Sequence, residues 1–253
     1  MGATYFFCDR IAEATETVTL DSAESQHAVR VMRLGTGDTI RLLDGRGAVG
    51  DAVITSRSGS ERRPELVCRV QTRWQAPECR PRLHLYVAPP RPKQMVQIVR
   101  QATELGVWRL VPVICEYSVA RPDDDVRDGH WRREAVAALK QSGNPFLPIF
   151  EAPVTFGEAT ARESLPGVYG AVPRAGEGTG PSAFLASEAE PGADVGIWIG
   201  PEGGFADAEI DLLSERGLAP LTVGHYTLRV ETAVPALVGA VLALLTGQEL
   251  VGP

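Results

Sequence analysis

The stretch Val195-Gly-Ile-Trp-Ile-Gly-Pro-Glu-Gly-Gly-Phe205 decides the fold class of this chain. Its first half is a short apolar run typical of a buried strand, and its second half is a glycine-rich turn. In parallel sheets, ligands bind outside the carboxyl ends of the strands, where loops lead into helices. Glycines at such a point let the backbone approach a ligand and expose its N–H groups. The same glycines would also suit a tight strand-to-helix turn without a ligand, and both interpretations remain open at this stage.

Alternating strands and helices surround this stretch, from about residue 76 to the end of the chain. The predicted strands are 83–88, 110–114, 167–171 and 221–223, and the predicted helices are 93–105, 131–141, 205–215 and 231–245. A segment rich in Gly, Pro, Ser and Glu, 174–194, is predicted to be a long mobile excursion. Such alternation indicates a mostly parallel sheet covered on both faces, so residues 76–253 are predicted to form an α/β domain.

Residues 1–75 have a different pattern, in which short apolar runs follow one another without a long helix. A strand at 39–43, the turn Asp44-Gly-Arg-Gly47 and a second strand through 52–54 form a hairpin signal, because glycine accepts the positive φ of tight turns. A further strand is predicted at 66–70. Such a series predicts a small β-barrel or sandwich, and two nearby prolines mark the boundary to the α/β domain.

Several protein classes do not fit the sequence. The N-terminus lacks a basic start followed by an apolar run, so we expect no signal peptide. The longest apolar stretch, 233–245, is shorter than the roughly 20 residues that a membrane span needs. The four cysteines lie far apart without a CxxC pair, so we expect neither a metal site nor disulfides. These features favour a folded cytoplasmic protein.

The charge distribution is uneven along the chain. The net charge of −7 argues, taken alone, against a nucleic-acid partner, because phosphate binding depends on Lys and Arg. Residues 80–109, however, hold six Lys or Arg and one acid, whereas residues 151–215 hold two basic and twelve acidic residues. One stretch could face a polyanion while another faces solvent, so the charge pattern permits RNA as a partner.

A second chemical signal is Leu228-Arg-Val-Glu-Thr-Ala233, between the last predicted strand and the last helix. Arg229 precedes a very apolar helix, and a charge at such a junction needs a partner or a function, since burying it unpaired is costly. An ion pair with Glu202 would explain the arginine structurally, and Glu231 or Thr232 would then cap the helix. That interpretation does not exclude a functional one.

Two further segments carry candidate RNA contacts. Lys93 and Gln94 open a predicted helix, where they could meet phosphates or base edges, although lysines near helix ends are common on any surface. The segment Gln26-His-Ala-Val-Arg-Val-Met-Arg33 holds arginines that could touch an RNA backbone. A lone histidine such as His27 is more often a packed or capping residue than a catalyst.

Six segments, in this order, resemble the RsmE family of 16S rRNA uridine N3-methyltransferases: HAVRVMRLGTGD, LLDGRG, PKQMVQIVRQATELGV, KQSGNPFLP, IGPEGGF and LRVETA. The resemblance covers nearly the whole chain. It implies an N-terminal PUA-like β-barrel and a C-terminal SPOUT α/β domain with a trefoil knot. It also implies S-adenosyl-L-methionine as the cofactor, 16S rRNA in the small ribosomal subunit as the partner, and a homodimer in the cytoplasm without a metal or a membrane.

The resemblance also implies site residues. The implied cofactor contacts are Ala171 and Val172 (with Pro173 beside them), Ile199, Gly200, Pro201, Gly203, Gly204, Val223, Gly224, Leu228, Val230, Thr232 and Ala233. The candidate RNA contacts are His27, Arg30, Arg33, Arg46, Lys93, Gln94 and Gln141. Two positions depart from the family pattern: Asn144 stands where a basic residue is usual, and Tyr117 stands where arginine is usual.

The chemistry of the implied reaction selects the catalytic candidates. Uracil N3 carries a proton, and its loss places negative charge on the flanking carbonyl oxygens, which a fixed cation would stabilise. We expect Arg229 to supply this cation. Glu231 and Glu202 are candidates for a general base, or for groups that only orient the arginine.

Three other functions stay open at this point. The chain could be a SPOUT methyltransferase that acts on transfer RNA or another RNA site, or an RNA-binding assembly factor without catalysis. A nucleotide-binding enzyme is remote, since the turn at 200–205 is not GxGxxG and no GxxxxGK(S/T) occurs in the chain.

Overall fold

The computed structural model describes residues 4–13, 16–60, 62–122, 126–162, 165–172 and 193–246. Most of the predicted excursion, together with Pro173, lies outside the described residues. The chain divides into two compact units. The first unit comprises Met1–Glu78 and Val136–Leu147, and the second unit comprises Cys79–Ala135 and Pro148–Pro253.

The first unit is built on a five-stranded sheet in the order β1-β3-β4-β5-β2. Its strands are β1 (Tyr5–Phe7), β2 (Thr17–Thr19), β3 (Thr39–Leu43), β4 (Ala48–Ser60) and β5 (Arg63–Gln75). The pair β1 and β3 is parallel, and the other pairs are antiparallel. A short helix, α1 (Ser22–Gln26), continues as a π-helical turn, His27–Val31.

One hydrophobic core takes residues from all five strands of this sheet. Phe6 of β1, Val18 of β2, Ile40 of β3, Ile54 of β4 and Leu66 of β5 belong to a single buried cluster. Both edge strands therefore contribute to the same core as the central strands. Among the strand pairs that the structure describes, β1 and β2 do not pair with each other.

The turn predicted between β3 and β4 is confirmed. The buried Asp44 carboxylate accepts hydrogen bonds from the N–H groups of Arg46 (2.7 Å) and Ala48 (2.9 Å), and Gly45 and Gly47 have φ of 75° and 99°. The strands that follow are longer than predicted, because β4 and β5 stay paired beyond the buried core. Their outer ends are exposed and carry no alternation of apolar and polar residues that a sequence reading could use.

The second unit is an α/β structure, as predicted. Its strands are β6 (Leu83–Val87), β7 (Arg109–Ile114), β8 (Ile149–Phe150), β9 (Val154–Thr155), β10 (Gly167–Gly170), β11 (Val195–Ile199) and β12 (Ala219–Leu221). They follow the order β12-β10-β11-β6-β7-β8, with β9 paired to β7, and every one of these pairs is parallel. All residues of β6 and β11 are buried, as expected of a parallel sheet covered on both faces.

The other helices of the described residues all follow β6 in the chain. They are α2 (Pro92–Glu104), α3 (Arg132–Ser142, preceded by a π-helical turn Val126–Trp131), α4 (Phe156–Arg162), α5 (Asp207–Glu215) and α6 (Val230–Thr246). The C-terminal half of α3 belongs to the first unit, where Lys140 forms an ion pair with the buried Glu24 carboxylate. Within the described residues, no helix is long and apolar enough to cross a membrane.

Two predicted boundaries near the glycine-rich turn were wrong. The helix predicted from residue 205 begins at Asp207, because the Glu209 carboxylate accepts a hydrogen bond from the Ala206 N–H (2.9 Å) and fixes the helix start there. The strand predicted at 221–223 ends at Leu221, because its partner β10 ends at Gly170. Both shifts lengthen the loops at the carboxyl edge of the sheet.

Candidate functional site

Three adjacent strands end at one edge of the sheet in the second unit. Strands β12, β10 and β11 are neighbours and parallel, so their carboxyl ends lie side by side. The loops that follow enclose about 590 Å³ of empty space, part of it open to solvent. We call this the strand-end pocket. Its lining residues are Gly170, Ala171, Val172, Ile199, Gly200, Pro201, Glu202, Gly204, Phe205, Val223, Tyr226, Thr227, Leu228, Val230, Ala233 and Leu237.

The loop after β11 needs its glycines for geometric reasons. A Cβ atom on Gly200 would lie 3.1–3.2 Å from three ring carbons of Phe205, which is closer than ordinary contact. Gly204 has φ of 81°, a conformation that residues with a side chain rarely adopt, and its N–H donates to the Pro201 carbonyl at 2.8 Å. The loop is therefore a compact turn that keeps its backbone against the pocket.

An aromatic cluster supports this wall of the pocket. The Phe205 ring lies 5.9 Å from the Phe156 ring and 6.4 Å from the Tyr169 ring, measured between centroids. Beneath them, Trp198 of β11 stacks on Tyr86 of β6 at 4.2 Å. Because these rings are packed into the core of the second unit, the Phe205 wall is held in place before any ligand binds.

The opposite wall comes from the loop after β12 and the first turns of α6. Gly224 turns this loop with φ of 79°. The Arg229 carbonyl then accepts hydrogen bonds from the N–H groups of Thr232 (2.9 Å) and Ala233 (2.8 Å), so Arg229 is the N-cap residue of α6. Val230, Ala233 and Leu237 follow at helical spacing and face the pocket.

Ten of the thirteen residues assigned to the cofactor line this pocket. Gly203, Gly224 and Thr232 do not line it. Gly203 lies against Tyr117 instead, since a Cβ atom at this glycine would be 3.2 Å from the tyrosine Cβ. Five lining residues were not assigned from the sequence: Gly170, Phe205, Tyr226, Thr227 and Leu237. The helical spacing from Ala233 could have indicated Leu237.

The three catalytic candidates occupy different positions. Glu202 lines the strand-end pocket and is exposed. Arg229 is exposed, Glu231 is half-buried in the first turn of α6, and neither lines the pocket. In the described part of the chain Arg229 forms no ion pair. The ion pair with Glu202 that the sequence allowed is therefore absent among the described residues.

The RNA-contact candidates of the first unit are mostly exposed. Arg30, Arg33 and Arg46 are exposed, whereas His27 is half-buried with its ring 5.9 Å from the Phe6 ring. The histidine therefore has a packing role. Arg33 follows the π-helical segment and has a φ of 57°, in the left-handed region. Gln141 is exposed on α3.

The basic stretch at 80–109 does not form a single phosphate-binding face. Its pairings are Arg80 with Asp194 (3.3 Å), Arg82 over the Trp108 ring (4.0 Å), Arg100 with Glu134, and Arg109 with Glu151 (3.6 Å). Lys93 is exposed at the start of α2 and has no ion pair among the described residues. Gln94 is half-buried, and its buried Oε1 lacks a hydrogen-bond partner in this part of the chain.

Both departures from the family pattern have local explanations. Asn144 caps a turn, because its Oδ1 accepts a hydrogen bond from the Phe146 N–H at 3.0 Å. Tyr117 is 49% exposed and packs beside Gly203 of the loop after β11. Within the described residues, no group of three or more His, Cys, Asp or Glu could hold a metal ion.

Two known protein families match this chain, one in each of its parts. The family model of an RNA methyltransferase domain matches residues 77–242, and that of an RNA methyltransferase PUA domain matches residues 20–61. The Ribosomal RNA small subunit methyltransferase E of Synechocystis sp. is 31% identical over 245 residues, which are 94% of this chain and 76% of that protein. The chain belongs to the ribosomal RNA small subunit methyltransferase E family.

Solved structures agree with this family. A "probable rRNA-methyltransferase" from Porphyromonas gingivalis is 27% identical, with a TM-score of 0.81 over 97% of this chain and 100% of the other. The Ribosomal RNA small subunit methyltransferase E of Neisseria gonorrhoeae, bound to S-adenosyl methionine, shares the fold with a TM-score of 0.78 at 22% identity. The match covers 96% of this chain and 98% of the other. The family fold thus extends over both units.

Proposed function

We propose that this protein uses S-adenosylmethionine to methylate N3 of a uridine in the 16S rRNA of the small ribosomal subunit. Membership of the family supports the reaction class, an rRNA methyl transfer. The observation that carries the proposal is the strand-end pocket, because nine of its sixteen lining residues belong to IGPEGGF and LRVETA, two of the six segments that carry the family resemblance. The choice of uridine and of N3 comes from the resemblance.

The lining of the pocket suits the proposed cofactor. Ile199, Val223 and Leu228 offer apolar contact, and the glycine-rich backbone offers N–H and carbonyl groups without a competing side chain. Glu202 adds a carboxylate, which suits a ligand that carries a sulfonium cation. We assign cofactor binding to the thirteen residues named from the resemblance, with Phe205 and Leu237 as additional contacts.

The residues of the protein have to position the base and manage its charge, because the cofactor supplies an already electrophilic methyl group. We assign Arg229 to the negative charge that develops on the uracil carbonyl oxygens when the N3–H bond breaks. Arg229 has no ion pair in the described part of the chain, and it directly precedes Val230, which lines the pocket. Glu202 or Glu231 would accept the proton or orient the arginine.

RNA positioning is assigned to residues of both units. Arg30, Arg33 and Arg46 on the first unit are exposed cations that can hold a phosphate backbone without reading its sequence. Lys93, Gln94 and Gln141 are assigned to the same role. The division of labour would then be an RNA-binding domain at 1–75 and a methyltransferase domain at 76–253.

A knotted SPOUT domain and a homodimer complete the proposal. The all-parallel sheet, with β10 between β12 and β11, is compatible with a SPOUT arrangement. Helix α6 supports the homodimer. Within its 17 residues Glu231 is the only charged side chain, yet Ala243 is exposed and Leu244 is only half-buried. A helix that is apolar on all sides is normally covered on all sides, and a second copy of this chain would cover it.

A methyl-transfer assay tests the proposed function. Unmethylated small ribosomal subunits are incubated with radiolabelled S-adenosylmethionine, and the rRNA is digested and analysed by nucleoside mass spectrometry. The proposal expects 3-methyluridine. A different methylated nucleoside would refute the N3 assignment, and transfer to tRNA alone would refute the substrate. Cofactor binding without any transfer would also refute the substrate, whereas absence of cofactor binding would favour a non-catalytic assembly factor.

A further inference from the structure

Tyr226 is the most exposed large hydrophobic side chain of the strand-end pocket. It lines the strand-end pocket, yet 82% of its surface is exposed to solvent. It lies in the loop between β12 and α6, two residues after the turn at Gly224. An aromatic residue with this exposure, at a pocket wall, must stand at the rim of the pocket rather than inside it.

The pocket contains one other aromatic side chain, and the comparison is informative. Phe205 is half-buried and its ring contacts Phe156 and Tyr169, so it serves as a wall of the core. Tyr226 has no ring contact and no side-chain hydrogen bond with any residue that the structure describes. Its ring faces are therefore available to a ligand, and the folded chain gains little from them.

A methylated base needs such a surface. N3 of uracil lies on the Watson–Crick edge, which is occupied in a paired base, so a base that reacts there has to leave its partner and its stack. Proteins commonly hold unstacked RNA bases on aromatic side chains. A tyrosine at the pocket rim offers this platform where the base would have to stop.

We propose that Tyr226 stacks on the target base and holds it across the mouth of the strand-end pocket. This inference rests on the proposed function and adds a substrate contact to it. The side chain would touch the base plane, while N3 points into the pocket. Stacking does not distinguish one base from another, so Tyr226 would set the position of the base and leave the choice of base to other groups.

Three substitutions of Tyr226 test separately the contributions of the aromatic ring, the hydroxyl group and the side-chain volume. Tyr226→Phe keeps the ring, Tyr226→Leu keeps an apolar side chain without a π-face, and Tyr226→Ala removes both. Methylation of small subunits is measured at saturating S-adenosylmethionine over a range of subunit concentrations. Cofactor affinity is measured separately by calorimetry. The control is Val119→Ala, which truncates another side chain of the second unit that is 68% exposed and does not line the pocket.

The proposal expects kcat/KM for the RNA to fall roughly 10-fold in the Ala and Leu variants and to stay near the wild-type value in the Phe variant. Cofactor affinity and the melting temperature should not change, because an 82% exposed ring contributes little to the core. The Val119→Ala variant should match the wild type in all three measurements.

Other results overturn the inference in recognisable ways. A loss in the Phe variant equal to that in the Ala variant would implicate the hydroxyl and exclude stacking. A parallel loss of cofactor affinity would show that the ring covers the cofactor. Wild-type rates in all three variants would remove Tyr226 from the reaction. If the wild type itself methylates no RNA, the proposed function fails, and the inference fails with it.

Discussion

Arg229 has separable backbone and side-chain roles. Its carbonyl holds the first turn of α6, while its side chain is exposed and forms no ion pair with the residues described. Truncation of the side chain should therefore leave the fold intact. We expect Arg229→Ala to lower the methyl-transfer rate by roughly 100-fold, because the cation that we assign to the developing negative charge is lost. Cofactor affinity, measured by calorimetry, should stay nearly unchanged.

The matched control for this prediction is Arg229→Lys, which keeps the charge and loses the planar guanidinium. It should recover part of the rate in single-turnover assays with small subunits. Near-normal turnover in the alanine variant would exclude Arg229 from the mechanism. A large loss of cofactor affinity in that variant would instead place the arginine in the binding site.

Gly200 allows a sharper test of the pocket itself. An added methyl group would press on the Phe205 ring at 3.1–3.2 Å, and that ring is held by its own neighbours. We expect Gly200→Ala to weaken cofactor binding by roughly 10-fold, since an overpacked wall has to shift by distorting the pocket. Isothermal titration calorimetry measures the effect.

Gly157→Ala is the control for this substitution. Gly157 lies in α4, has open space around its Cβ position and does not line the pocket. Alanine there should leave cofactor affinity unchanged, because the added methyl group would meet no neighbouring atom and would lie away from the pocket. Equal cofactor affinity in the Gly200 variant and the wild type would show that the cofactor does not depend on this wall.

At the scale of elements, the turn after α1 and the start of α2 both present exposed cations that the RNA could use, among them Arg33 and Lys93. We expect the pair Arg33→Asn and Lys93→Gln to weaken RNA binding and to lower the slope of log K against log salt by roughly 1–2, because two phosphate contacts are lost. Asparagine is chosen at position 33 because it tolerates the φ of 57° found there. Fluorescence anisotropy at several salt concentrations measures the slope.

The control for the salt experiment is Arg100→Ala. Arg100 lies on α2 and pairs with Glu134, so its charge is already engaged within the second unit. Removing it should leave the slope unchanged. An unchanged slope in the Arg33 and Lys93 variant would mean that neither residue contacts a phosphate.

Strands and helices with a strong apolar pattern could be predicted from the sequence, and those without one could not. The strand β11 was predicted within its observed bounds, because five consecutive buried residues leave little ambiguity. The helix α4 was missed because it has only 7 residues. A local signal was present, since Thr155 and Glu158 form a reciprocal cap through their side chains and backbone N–H groups. The hydrogen bonds from Thr155 also lower the pKa of the Glu158 carboxyl.

The pocket was partly predictable for the same reason. Its walls at Ile199 and Gly200 follow a recognisable strand and turn, and its wall at Ala233 follows the helix start. Tyr226 belongs to a loop whose conformation has no repeating pattern, so its place at the rim depends on the path between β12 and α6. The basic stretch at 80–109 shows the opposite case. The sequence presents its cations as one cluster, but in the folded chain Arg80, Arg100 and Arg109 each form an ion pair with an acidic residue.

At the scale of the whole molecule, the proposed homodimer depends on the C-terminal part of α6. One face of this helix is buried through Val234, Val238 and Val241. Ala243 is exposed although it lies on a largely apolar helix. We therefore propose that a second copy of the chain covers it. We expect the wild type to sediment at twice the chain mass of 27.1 kDa. Ala243→Glu should shift it toward the monomer, because a charge would be buried without a partner.

Ala208→Glu separates this effect from a general effect of added charge. Ala208 is also an exposed alanine on a helix of the second unit, α5, and the same substitution there should leave sedimentation unchanged. A monomeric wild type would refute the homodimer, and an Ala243→Glu variant that remains a dimer at every concentration would refute the placement of Ala243 in the dimer interface. If the variant is monomeric and also loses cofactor affinity, the strand-end pocket depends on the partner subunit. In that case dimer formation is a condition for catalysis, since α6 lines the pocket with its first turns and meets the second copy with its last.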